Sequence, residues 1–259
     1  MNLHRLFEFR ESPEDPKPLL EHLEDLRHLL IRIGAALGIA MILCFAFRGT
    51  LASIVQRPLA EVAPDRAANL QSLGVADSFT ISFELAFYGG LILAFPAILY
   101  FLARFLLPAL HPGEKRILLP IAGAGFGLFL LGVAFCYFVV LPQALAFFFL
   151  DAKAMHWQPT WTVREYYSFA TQMTIAFGLA FELPLVVLLL VKLGILDTAT
   201  LKRSRAFALV VIFIAAAVIT PTSDVLTLAL MGGPMYLLYE LCILIARLLD
   251  RPKRVVGCD

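Results

Sequence analysis

Apolar residues fall in six runs along the chain: Leu29–Phe47, Leu85–Leu107, Ile117–Leu150, Tyr166–Val191, Ala206–Ile219 and Leu226–Ala246. Crossing a bilayer takes about 20 apolar residues in an α-helix. The pattern therefore predicts an all-α, polytopic integral membrane protein with six transmembrane helices in a single domain over residues 1–259. The fifth run is the shortest, and Gly232-Gly233-Pro234 interrupts the sixth. Both are expected to be short, thinning the bilayer beside them. The third run is too long for one upright span and too short for a hairpin, so it should tilt or protrude, with Pro120 and Pro142 bending or ending it.

Ahead of the first run, residues 19–28 place leucines at 19, 20, 23 and 26, continued by Leu29 and Leu30, the spacing of an amphipathic helix feeding the first span. Residues 1–18, with Pro13–Pro18, are expected to be a flexible tail, and residues 247–259 a second tail. The charged N-terminus has no apolar core followed by a small-residue cleavage site, so it does not read as a signal peptide.

Composition agrees: 60% of residues are hydrophobic, only 16% are charged, and the mean hydropathy is +0.83, which excludes an ordinary soluble domain. A net charge of +1 leaves no basic surface for nucleic acid. With six crossings both termini share a side, and 16 of the 21 Lys and Arg residues fall on it. The positive-inside rule makes that side cytoplasmic. The other side offers Trp157, Trp161, Tyr166 and Tyr167 as an aromatic belt where the fourth span meets the headgroups.

Catalytic and metal chemistry find little support. Cys44, Cys136, Cys242 and Cys258 form no CxxC or Cys/His spacing, and no HExxH exists, so neither a metal site nor another cofactor is expected. An intramembrane hydrolase would need a base beside Ser168 or Ser223, and no span contains a histidine. Gly123-Ala124-Gly125-Phe126-Gly127 mimics a nucleotide loop, but no strand precedes it. Its Gly123/Gly127 pair, like Gly34/Gly38, is expected to allow close helix contact.

Glu182 is the most informative residue. It lies inside the fourth span, in Phe177-Gly178-Leu179-Ala180-Phe181-Glu182-Leu183-Pro184. An acid there costs roughly 2.5–3.5 kcal/mol on insertion scales, so it should face a cavity, a water defect or a polar partner. Glu84, Glu240 and Lys192 lie nearer span ends and are expected to snorkel. A small-solute secondary transporter coupled through Glu182 is the alternative reading. Such folds are built from internal repeats, and none is visible.

Several motifs together carry a resemblance: His22-Leu23-x-x-Leu26-Arg27; Arg57-Pro58-Leu59; Phe105-x-x-Pro108-Ala109-Leu110-x-x-x-Glu114-Lys115-Arg116; Tyr137-Phe138-Val139-Val140-x-Pro142; Phe177-Gly178-x-x-Phe181-Glu182-x-Pro184; and Thr220-Pro221 followed by Asp224. In this order, from about Pro18 to Leu248, the sequence resembles the TatC family, the polytopic component of the twin-arginine protein translocase. Two departures are Asp25 where the family usually has glutamate, and Thr222-Ser223 between Pro221 and Asp224.

The resemblance implies a concave bundle in the bacterial cytoplasmic (inner) membrane that receives twin-arginine signal peptides of folded cargo. It works with single-span TatA- and TatB-type partners, self-associates, and draws on the proton-motive force. It also implies a peptide site of Asp25, Glu114, Phe105 and Leu110, flanked by Arg27 and Leu30, with Glu182 as an intramembrane polar site and Pro58 and Asp224 at the outer face. Partner docking is implied at the fifth and sixth helices. Paired guanidiniums suit such carboxylates, which accept their forked donors in charge-assisted bonds.

Overall fold

In a computed structural model of the chain, the described residues are 19–106, 115–157, 160–192, 198–219 and 225–249. Their regular structure is helical, apart from one isolated bridge between Gln71 and Thr162. The first helix, α1 (Leu19–Ala46), joins the expected amphipathic segment and first span without a break. Two short helices follow, α2 (Arg48–Val62) and α3 (Pro64–Ala68), before α4 (Asp77–Leu106), which begins eight residues ahead of its apolar run. Among the described residues five helical stretches are long and apolar enough to cross a membrane, namely Leu23–Ala46, Asp77–Phe105, Ala122–Ala154, Val163–Val191 and Thr227–Arg247; a shorter apolar helix covers Arg205–Val218.

Proline shapes the third stretch. It comprises α5 (Lys115–Phe135), a π-helical turn at Cys136–Val140 and α6 (Leu141–Ala154). Pro142 cannot donate to the Phe138 carbonyl and its ring crowds that group, so the chain widens just ahead of it: the Leu141 N–H bonds the Cys136 carbonyl five residues back. Pro120 sits inside α5 without ending it. At the end of α6, His156 takes the left-handed conformation at φ 58°, and the Trp157 N–H closes on the Ala152 carbonyl at 2.9 Å.

The fourth stretch divides into α7 (Val163–Ala180) and α8 (Leu183–Lys192). Thr162 starts it through a reciprocal cap, accepting from the Glu165 N–H at 3.1 Å while its hydroxyl donates to the Glu165 carboxylate at 2.9 Å. Pro184, which cannot donate to the Ala180 carbonyl, explains the break at Phe181-Glu182. The chain then forms α9 (Thr198–Arg203), α10 (Arg205–Ile219) and α11 (Val225–Leu249). The sixth run was expected to be short and interrupted; instead α11 is a continuous 25-residue helix with Pro234 inside it, and Gly232 makes room for the Phe213 ring of α10.

Lipid is as apolar as a leucine side chain, so these helices hold together through close packing and hydrogen bonds rather than burial from water. The most extensive pairing is α1 against α4, where a Cβ on Gly90 would lie 2.9 Å from the Met41 backbone nitrogen. Against α7, Gly132 of α5 stands against the Phe177 carbonyl and Gly178 against the Phe129 ring. Phe129 in turn stacks on Phe95 with centroids 3.6 Å apart. The glycines expected to make such contacts do not. Gly34, Gly38, Gly123 and Gly127 have open space where a Cβ would go, because they face outward from the pairs that form.

The expected aromatic belt is also corrected. Tyr166 and Tyr167 are buried at 4% and 5% exposure, under α2. The Tyr166 hydroxyl donates to the Val55 carbonyl at 2.6 Å and that of Tyr137 to the Ile54 carbonyl at 2.7 Å. Pro58, buried beside Leu59, accounts for the second bond: it has no N–H to give Ile54, and the tyrosine supplies the donor instead. Trp157 remains exposed.

Gly132→Ala should destabilise the bundle by about 1–3 kcal/mol, since its Cβ would stand 2.6 Å from a backbone oxygen that cannot swing away. Gly127→Ala, on the same helix in open space, should not. Thermal unfolding midpoints of the two variants in detergent check this, and equal midpoints would contradict the α5–α7 contact.

Candidate functional site

At the end of the bundle where α1 begins and α4 ends, one face of each helix lines a cavity of about 260 Å³. From α1 come Asp25, His28, Leu29 and Arg32, spaced three, four and seven residues from the acid, which is one helical face. From α4 come Phe101, Arg104 and Phe105, with the same spacing. The antiparallel pairing of α1 with α4 thus brings Asp25 and Phe105, far apart in sequence, to one opening. Arg27 and Leu30 are exposed and lie off the lining, since they occupy other faces of α1. Glu114 and Leu110 lie outside the described residues.

Sequence reasoning missed His28, Leu29, Arg32, Phe101 and Arg104. The signal was present: counting three, four and seven residues along α1 from Asp25, and one and four back along α4 from Phe105, names all five. The described lining carries one carboxylate and two guanidiniums, so its fixed charge is net positive before His28 is considered.

Glu182 occupies the break between α7 and α8. Its N–H bonds the Leu179 carbonyl at 3.1 Å, and its carbonyl accepts from Val186 at 3.0 Å. The side chain lies across Gly125 of α5: a Cβ there would be 3.0 Å from Oε2, and Leu99 and Leu185 complete the notch. Oε1 is buried and has no hydrogen-bond partner among the described residues. The polar partner expected for this acid is therefore not supplied by those residues, and an unsatisfied buried oxygen favours any donor brought to it, at about 1–3 kcal/mol.

Two acids expected to snorkel are instead paired with side chains of neighbouring helices. Glu84 of α4 accepts from the Ser168 hydroxyl of α7 at 2.8 Å, with Thr171 at 3.5 Å. Glu240 of α11 forms an ion pair with Arg205 of α10 at 2.9 Å and accepts from the Tyr236 hydroxyl at 3.1 Å. Pro58 is part of the buried packing at the opposite end from the cavity, and Asp224 lies outside the described residues. Among the described residues no group of three potential ligands is placed to hold a metal ion.

The family described as Sec-independent protein translocase protein (TatC) matches residues 21–234. The TatC protein of Deinococcus radiodurans is 40% identical over 235 residues, which is 89% of this chain and 86% of that protein. That of Akkermansia muciniphila is 47% identical over 177 residues, 68% of this chain but 51% of the relative, so the match spans about half of that relative's length. A crystal structure described as the twin arginine translocase receptor TatC superposes with a TM-score of 0.81 at 35% identity, covering 89% of this chain and 100% of that one. The chain is a multi-pass helical membrane protein and belongs to the TatC family of Sec-independent protein translocase proteins.

Proposed function

We propose that the protein is the receptor subunit of a twin-arginine translocase, binding signal peptides with paired arginines at the end of the bundle that carries Asp25. The observation that carries this reading is the meeting of Asp25 and Phe105 at one cavity. It lies at the end of the bundle where 16 of the 21 basic residues are expected to gather, in a chain that superposes on a solved receptor of this kind. Asp25 and Glu114 are the acids for the arginines, while Phe105 and Leu110 supply apolar contact, with Arg27 and Leu30 alongside. The protein spans the bacterial cytoplasmic membrane six times, the Arg205–Ile219 helix being the short crossing, with both termini cytoplasmic. TatA- and TatB-type single-span proteins and further copies of the chain complete the complex, which moves folded cargo at the expense of the proton-motive force.

Glu182 fits this reading as a docking point for a polar group on a partner helix or an inserted peptide. Its buried oxygen lacks a donor among the described residues, and the adjacent helix break leaves the backbone irregular at the same level.

Removing one acid from a partly wet charge pair costs about 1.5–3 kcal/mol, roughly ten- to a hundredfold in affinity. Glu114→Ala should weaken binding of a twin-arginine peptide to the detergent-solubilised complex by that factor, and Asp25→Ala by less, because Glu24 or Glu21 can substitute from the same helix end. Asp25→Glu should be tolerated. Unchanged preference for twin-arginine over twin-lysine peptide in the Asp25→Ala, Glu114→Ala double variant would overturn the receptor site.

Orientation is checked in a variant lacking native cysteines, with single cysteines at exposed positions. Val75→Cys and Ala154→Cys should react with an impermeant thiol reagent from outside, and Glu24→Cys and Thr200→Cys should not; the reverse result inverts the topology. For Glu182, Gln keeps a hydrogen-bonding head where Leu does not. Export should largely survive Glu182→Gln and fall several-fold in Glu182→Leu, whereas equal export by the two variants would reduce Glu182 to packing.

A further inference from the structure

The cavity between α1 and α4 has a second chemistry that a receptor for cations does not use. Arg32 of α1 and Arg104 of α4 both line it, both are exposed, and neither forms an ion pair or hydrogen bond among the described residues. They come from different helices and converge on one opening of about 260 Å³. Against them the described lining sets a single carboxylate, Asp25. Among the described lining residues the guanidiniums outnumber the carboxylates by one, and two forked cations beside apolar walls suit an anion that carries its own apolar tail.

We propose that Arg32 and Arg104 form a binding site for the phosphodiester headgroup of an anionic phospholipid from the leaflet on that side of the membrane. The planar fork of each guanidinium matches phosphate oxygens, and two of them from facing helices hold the group from both sides. Leu29, Phe101 and Phe105 line the same opening, and Leu30, Ile31 and Leu102 are exposed on the helix surfaces nearby, so an acyl chain leaving the cavity runs along apolar side chains. Arg104 stands one residue before the end of the apolar Asp77–Phe105 stretch, the level of the headgroups. A basic pocket between spans, at that level, is the arrangement that captures anionic lipid headgroups. Asp25 takes part by accepting from headgroup hydroxyls, which a glycerol headgroup has and a choline headgroup lacks. A soluble anion would have no use for the apolar walls. The site does not rest on the receptor reading, and its test contains no peptide.

The test uses the full chain in phosphatidylcholine vesicles, with Trp157→Phe and Trp161→Phe to silence the native indoles and Phe101→Trp as a reporter in the cavity wall. Brominated phosphatidylglycerol should quench the reporter at a mole fraction on the order of tenfold lower than brominated phosphatidylcholine. The Arg32→Gln, Arg104→Gln variant should lose that preference, and Arg32→Lys, Arg104→Lys, which keeps the charge without the fork, should retain part of it. Equal quenching by the two lipids in the reporter protein with both arginines in place overturns the proposal whether or not the glutamine variant folds. So does a preference that persists unchanged in that variant. Abolition of the preference by millimolar inorganic phosphate overturns it too, assigning the arginines to a soluble anion.

Discussion

A backbone carbonyl deprived of its helical donor has to be satisfied some other way within a bilayer, and the irregular features of this bundle are answers to that constraint. Pro58 leaves the Ile54 carbonyl without a partner, and Tyr137 supplies a hydroxyl from across the packing interface. Pro142 is met by widening the preceding turn to a π geometry, with no outside donor. Pro184 is met by breaking the helix, which leaves Glu182 at the break. The same defect is thus solved by tertiary contact, by local rewinding and by interruption.

Each solution places chemistry. The tyrosine bonds tie α2 down on α7 and the π turn, so the connection between the first two long helices becomes a packed element with Leu59 wholly buried. The break at Phe181-Glu182 places an acid against Gly125, where the missing side chain leaves width for a carboxylate beside Leu99 and Leu185. Such an acid is held by shape more than by hydrogen bonds from the described residues, which leaves bonding capacity on its carboxylate.

The cavity lies between a different pair of helices, α1 and α4. Gly90 lets α4 approach the backbone of α1 at Met41. At the end where α1 begins and α4 ends, Asp25, Arg32 and Arg104 share an opening that neither helix would create alone. Among the described lining residues a carboxylate stands with two guanidiniums, so the opening presents groups suited to cations and to anions alike.

Helix content, the apolar stretches, the basic asymmetry and the prolines were all legible in the sequence, because each depends on composition or on periodicity within one segment. Family motifs likewise named Asp25, Phe105, Glu182 and Pro58. Partner choice was not legible, because helix packing is decided by pairs of surfaces from distant segments. Gly34/Gly38 and Gly90 read alike as small residues, yet only the latter meets a backbone. Tyr166 and Tyr167 read as an interfacial belt until α2 folded over them, and Glu84 as a snorkelling acid until Ser168 arrived from α7. Arg32 and Arg104 are ordinary boundary arginines in one dimension. Only the antiparallel crossing of α1 and α4 puts them in one cavity, since their approach is a property of two helices and no single segment encodes it.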